Sequence, residues 1–202
     1  MSAPDDGRVV DLLAIGADDP RWRATTIPDS APDVRLIRLH VDRETRASLQ
    51  LVEFPRGWSR PAPGHYLAGE EFVVLRGAID LGGTRATAGD WVWVPPLGLR
   101  GPTHAPEGML ALAWFSAPAI WQQGAAATAG GSLSHRSRPA AGPLRAPATG
   151  VPGTSDAAAA PPSGADGADR DVLCVDGMRW AFVASGADVP ALAGPAPIRR
   201  WR

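Results

Sequence analysis

The sequence predicts an all-β protein built around one barrel, and three observations carry that prediction. Short runs of β-type residues recur with turn signals between them, at about the 8–12-residue spacing of sandwiches and barrels. No segment keeps a 3.6-residue apolar period over three turns, which leaves no amphipathic helix. A long Pro/Ala/Gly-rich stretch without aromatics then separates these runs from a short tail.

The runs follow in order. Val34–Val41 (VRLIRLHV) alternates, with Val34, Leu36, Arg38 and His40 on one side and Ile37, Leu39 and Val41 on the other. Ala47–Phe54 places Leu49 and Leu51 on one face and Gln50 and Val52 on the opposite one. Then come Glu71–Leu75, Ala78–Leu81, Arg85–Thr87, Trp91–Val94 and Met109–Phe115, punctuated by Pro55-Arg-Gly57, Arg76-Gly77, Gly82-Gly83, Ala88-Gly89-Asp90 and Pro95-Pro96. Trp91 and Trp93 share one face and Val92 and Val94 the other, so this strand is apolar on both sides and central to its sheet.

From Gly124 to Asp169 the chain has no aromatic residue and only Leu133, Leu144 and Val151 as large aliphatics. Burial there offsets little of an ordering entropy of about 1–2 kcal/mol per residue. The expected organisation is a lead-in segment over 1–33, a barrel over 34–123, a disordered linker over 124–169 and a C-terminal strand segment over 170–202.

The 202 residues carry 20 basic and 21 acidic side chains, a net charge of -1. No global field draws the chain to nucleic acid or to an anionic membrane. No apolar run approaches the roughly 20 residues of a membrane span, and Met1-Ser-Ala-Pro-Asp-Asp lacks the basic-then-apolar layout of a secretory signal. Cys174 is the single cysteine, which excludes an internal disulfide and a cysteine zinc cluster. The expectation is a cytoplasmic protein, with a homodimer allowed for and neither nucleic acid nor membrane as partner. Every basic residue is arginine and asparagine is absent, a bias of GC-rich bacterial coding that carries no chemistry.

The order of features then becomes specific. Gly57 is followed by a loop, His65, Gly69-Glu70-Glu71, the run Phe72-Val-Val-Leu75 and Arg76-Gly77. Further on come Gly89-Asp-Trp-Val-Trp-Val-Pro95-Pro-Leu-Gly98, a histidine, and Glu107-Gly108 opening a last strand. This order resembles the cupin family, whose first motif is G-x5-H-x-H-x3,4-E-x6-G and whose second is G-x5-P-x-G-x2-H. Glu70-x6-Gly77 and Gly89-x5-Pro95 match the spacing, over about residues 34–117. The wording is most similar to the cupin domain of ChrR-type anti-sigma factors and other small, RmlC-like cupins. The resemblance implies a jelly-roll barrel with one open mouth.

It also implies a metal site of three His and one Glu, because alternate strand residues share a face. Aligned on Gly69-Glu70-Glu71, the two family histidine positions fall near Gly64 and Tyr66, with His65 between them. Gly101 stands where the last ligand belongs, with His104 three residues on. Three roles stay open for His65, Glu70 and His104: a two-His-one-carboxylate site for a divalent ion (iron, zinc, manganese or nickel), polar lining of a metal-free pocket, or ordinary surface and loop positions. The pocket residues are expected to be His65, Tyr66, Glu70, Trp93 and His104. Trp58, Trp91, Trp93 and Trp114 are read first as core filling and second as pocket walls. Glu71 is expected to be a solvated carboxylate and His40 a satisfied strand histidine, while His135, in the linker, receives no role.

In the tail, Asp171-Val-Leu-Cys-Val…Arg179-Trp180 echoes Asp11-Leu-Leu-Ala-Ile…Arg21-Trp22. The remnant of a second cupin repeat, chance, or a strand packed on the first barrel would each explain the echo. Three functions follow: a small-molecule binding or sensing module with a degenerate metal site, a metal-dependent dioxygenase acting on a small carbonyl or aromatic compound, or an interaction protein using Arg199-Arg200-Trp201-Arg202. A small-molecule ligand is the expected partner.

Overall fold

The structure is a computed structural model that describes residues 9–128, 130–146, 148, 150–151, 153–159, 168–190, 192 and 196–200. Among them every regular element is a strand. The chain enters through β1 (Val9–Asp11). There follow β2 (Arg23–Thr25), β3 (Val34–Val41), β4 (Ser48–Phe54), β5 (Trp58–Arg60), β6 (Gly64–Tyr66), β7 (Glu70–Leu81) and β8 (Thr84–Thr87). Next are β9 (Trp91–Val94), β10 (Thr103–Ala105), β11 (Met109–Phe115), β12 (Trp121–Gln123) and β13 (Ser134–Arg136). The chain closes with β14 (Gly142–Arg145), β15 (Thr154–Ala158), β16 (Arg170–Cys174), β17 (Arg179–Val183) and β18 (Ala196–Arg200). Two compact units result. One is Pro20–Arg138; the described residues of Met1–Asp19 and Pro139–Arg202 make the other.

In the Pro20–Arg138 unit the strands pair antiparallel in the order β13-β9-β7-β11-β4-β3-β2, with β10 joining β5 to β7 and β8 lying on β7. A separate ribbon pairs β12 with β6. Strand alternation assigns the faces. Phe72 and Val74 of β7, Val92 and Val94 of β9, and Met109, Ala111, Ala113 and Phe115 of β11 form one apolar interior. The intervening Val73, Trp91, Leu112 and Trp114 are buried as well, so β9 is apolar on both sides as its sequence requires.

β7 is one strand where the sequence suggested two with a turn at Arg76-Gly77. Gly77 adopts φ +76°, and the register between β7 and β11 shifts at Leu110/Ala111. The chain bends there through a bulge rather than reversing, a device that lets one strand serve two sheet corners. A Cβ at Gly77 would meet the Gly108 carbonyl oxygen at 2.1 Å. Glycine is therefore required by both its dihedral and its neighbour.

The second unit is a six-stranded antiparallel sheet in the order β1-β17-β16-β18-β15-β14. Its apolar core comprises Val172, Cys174, Ala181, Val183, Leu192, Ala196 and Ile198. The expectation of a disordered linker over 124–169 is revised for its described part, which contributes β13, β14 and β15. Thr154–Ala158 forms a five-residue ladder with β18, so backbone pairing supplies the order that scarce side-chain burial does not. Residues 160–167 of that expected linker lie outside the described residues.

Of the two echoing segments, Asp11 in one lies across the sheet from Arg179 in the other. A different likeness joins the units. Trp91 Nε1 donates to Glu71 Oε1 at 3.0 Å, and Trp180 Nε1 donates to Asp171 Oδ1 at 2.9 Å. In each unit the tryptophan stands opposite the residue two places after the acid, Val73 in one and Leu173 in the other. Both pairs are buried. Glu71, expected in solvent, is thus an internal acceptor for an indole N–H.

Candidate ligand cavity

A cavity of about 170 Å³ lies inside the Pro20–Arg138 unit. Its walls are the inward residues of β3, β4, β7 and β11 together with Trp58, Ile79 and Leu81, and residues 25–28 lie along one side. Its charged lining residues, Arg60, Glu70 and Arg100, come together with Tyr66, while Thr25, Thr26, Gln50 and Thr103 add uncharged polar groups to the wall. Each position follows from strand alternation. Arg60 is two residues beyond Trp58 on β5, and Tyr66 is two beyond Gly64 on β6. Glu70 precedes Phe72 on the inner face of β7. Arg100 is fixed by the paired backbone bonds Gly64 N–H to Arg100 O (3.0 Å) and Arg100 N–H to Gly64 O (2.7 Å).

The four groups form a chain of contacts. Arg100 Nη1 lies 2.5 Å from Glu70 Oε2, and Arg60 Nη1 donates to Tyr66 Oη at 3.3 Å. The Arg100 guanidinium stands 4.9 Å from the Tyr66 ring centre. The Arg60 guanidinium lies over the Trp121 ring at 3.6 Å, a stacking that suits a planar cation. Trp121 is anchored in turn by its Nε1 bond to Asp29 Oδ2 at 2.8 Å. Arg60 and Arg100 are 3% and 4% exposed. Arg60 Nε, Arg100 Nε and Arg100 Nη2 are buried without a hydrogen-bond partner.

Burial drives the titration of these groups. It lowers the Arg60 guanidinium, helped by the nearby Arg100 charge and opposed by Tyr66. It raises the Tyr66 phenol, and the Glu70 carboxylate raises it further against the two arginines. Tyr66 therefore keeps its proton at neutral pH and offers an O–H donor.

Of the five residues expected around one pocket, Tyr66 and Glu70 line the cavity, and His65, Trp93 and His104 do not. His65 alternates to the opposite side of β6, where its Nδ1 donates to the Gly124 carbonyl at 2.9 Å. Trp93 is turned away from Val92 and Val94, and its ring packs over Gly69, where an added Cβ would meet it at 2.3 Å. His104 sits on β10 with a side chain 54% exposed, 3.4 Å from Asp80. The three-residue offset from the family position therefore moves it out of the barrel interior. Trp58 combines both expected roles, filling the core and lining the cavity.

Two charged cavity residues escaped sequence reasoning, Arg60 and Arg100. An arginine in a short strand reads as a solvated side chain. The available signals were positional. Arg60 shares a strand face with Trp58, and Arg100 adjoins Gly101, the position of the family's last ligand. His135, given no role, donates from β13 to Asp90 beside Ser137 and Thr87.

The donor set does not suit a metal ion. Among the described residues lining the cavity Glu70 is the one carboxylate, and Arg100 already holds one of its oxygens. Tyr66 stands at one family histidine position with a proton it retains, and Gly64 at the other supplies no side chain. A divalent cation would also face two buried guanidiniums. Among the described residues, no group of three or more His, Cys, Asp or Glu side chains could hold a metal ion. His65, Glu70 and His104 therefore do not assemble the site that the family pattern implied.

Solved structures share this architecture across both units. A protein from Nostoc punctiforme, provisionally named a dioxygenase, superposes with a TM-score of 0.69 at 17% identity, over 96% of this chain and 82% of its own. The Ylba protein of E. coli does so with a TM-score of 0.60 at 10% identity, over 98% and 92%. The fold is that of the cupins. A chain from the complex of Rhodobacter sphaeroides SigE with the anti-sigma ChrR is similar over 52% of this chain and 54% of its own at 27% identity. Its TM-score is 0.40. No family model matches the sequence, and no curated protein does.

Proposed function

We propose that the cupin barrel is a small-molecule binding module whose site works without a metal. The observation that supports this is the cavity itself, in which Arg60, Tyr66, Glu70 and Arg100 converge within a mainly apolar lining. A mainly apolar cleft or cavity with a few convergent polar groups is the ordinary form of a ligand site. Arg100 takes the counter-charge role beside Glu70 that a metal fills in metal-binding cupins, and Tyr66 takes a histidine position.

The dioxygenase alternative needs a metal, and the cavity's donor set does not support one. The interaction alternative rested on the arginine-rich end. Arg199 is buried within β18, and Trp201 and Arg202 lie outside the described residues. The C-terminal unit is read as a reduced second copy of the barrel, supported by the acid–indole pair that both units carry.

The test is thermal. Iron(II), manganese, zinc or nickel, added singly or stripped with a chelator, should leave the melting temperature unchanged. A library of small organic compounds should contain members that raise it, because a ligand at 100 times its Kd adds about 2.7 kcal/mol. One tightly held metal per chain, whose removal lowers the melting temperature and which returns on addition, would overturn the reading.

A further inference from the structure

The polar end of the cavity has more donors than acceptors. Arg60 and Arg100 bring two positive charges and Glu70 one negative charge, so one positive charge is left uncompensated among the charged residues lining it. Arg60 Nε, Arg100 Nε and Arg100 Nη2 have no partner. Tyr66 receives a hydrogen bond from Arg60, which leaves its own proton for another acceptor. A buried guanidinium with unmade bonds is costly unless an acceptor arrives. Carboxylate is the acceptor whose planar geometry matches the guanidinium fork. Apart from Thr25, Thr26, Gln50 and Thr103 the rest of the wall is hydrocarbon, including Leu81, Met109 and Phe115, and that favours an acid with an apolar body over a bare inorganic anion. Cavities near 150 Å³ hold a benzene-sized guest, so the 170 Å³ here sets a similar limit.

We propose that this cavity binds a small organic monocarboxylate, of roughly six to ten non-hydrogen atoms. Its carboxylate is received by Arg60, Tyr66 and Arg100, and its apolar body lies against Leu81, Met109 and Phe115. The proposal rests on the small-molecule reading above and names the class of molecule. One bound negative charge neutralises the excess positive charge. Glu70 holds Arg100 in place and, by repelling a second anionic group, selects against dianions.

Isothermal titration calorimetry on the full chain tests this with benzoate, its uncharged analogue benzamide, butanoate and inorganic phosphate. Benzoate should bind at least about ten-fold more tightly than benzamide, the scale of one charge-assisted hydrogen bond. Arg100→Gln strands the Glu70 carboxylate and risks unfolding, so Tyr66→Phe and Arg60→Gln are the working variants, with their melts recorded alongside. Each should weaken benzoate by about ten-fold or more while leaving benzamide within a few-fold. Benzamide binding as tightly as benzoate would overturn the carboxylate assignment and leave the small-molecule reading standing. Phosphate binding more tightly than either organic acid would overturn it in favour of an inorganic anion site. No heat from any of the four, with no library compound raising the melting temperature, would overturn the inference and the reading together.

Discussion

Single residues in this protein are governed by who receives their buried polar atoms. Asp90 is 3% exposed. Its carboxylate accepts from Thr87 N (2.9 Å), Thr87 Oγ1 (3.1 Å), Ser137 Oγ (2.8 Å) and His135 Nε2 (3.2 Å). Burial pushes its pKa up, but these bonds outweigh burial, and the net shift is downward. A carboxyl depressed on folding stabilises the protein above its unfolded value, about 3.9. That contribution is lost as pH falls through the lower folded value. Urea unfolding should therefore show stability declining below about pH 4 in the native protein. Asp90→Asn should cost about 1–3 kcal/mol at pH 7 and flatten the acid limb; equal curves for both proteins from pH 3 to 7 would count against the account. At this scale the sequence was half legible. Tyr66 and Glu70 were readable because the motif spacing isolates them. Arg60 and Arg100 were not, since nothing local distinguishes an arginine stacked on a distant indole from one in water. His135 was obscured in the same way, its partner lying 45 positions away.

Elements were legible in proportion to their length. Val34–Val41, Trp91–Val94 and Met109–Phe115 fall where the alternation put them, because several residues of period two outweigh local noise. The three-residue strands β5, β6, β10 and β12 carry too few positions to show a period, and their partners across the sheet define them. β7 was split in reading because Arg-Gly signals a turn, whereas here the glycine makes a bulge. Gly77→Ala tests that explanation. With φ +76° and a backbone oxygen 2.1 Å from the added Cβ, it should cost at least about 2 kcal/mol. Gly16→Ala, with nothing within 4 Å of its added Cβ, should stay within about 0.5 kcal/mol of the native protein. Equal melting temperatures for the two variants would refute the bulge argument.

At the scale of the whole molecule, composition misled where the backbone does the work. The stretch 124–169 is too poor in large apolar side chains to advertise order, yet β14 and β15 complete an antiparallel sheet with strands from the chain's end. The recurrent acid–indole pair was hidden for a related reason, since Glu71–Trp91 and Asp171–Trp180 are spaced differently along the chain and match only across a ladder. The cupin fold itself was readable from motif order, whereas the chemistry of its cavity was not, because the family's ligand positions are filled by different residues. The central claim is that a small molecule occupies this cavity without a metal, and the methionine methyl groups report on it directly. Met109 lines the cavity, while Met178 lies in the turn between β16 and β17. With ¹³C-labelled methionine methyls, added benzoate should shift the Met109 resonance and leave Met178 in place, with or without a chelator present. A Met109 shift that disappears on chelation and returns with added metal would contradict the account.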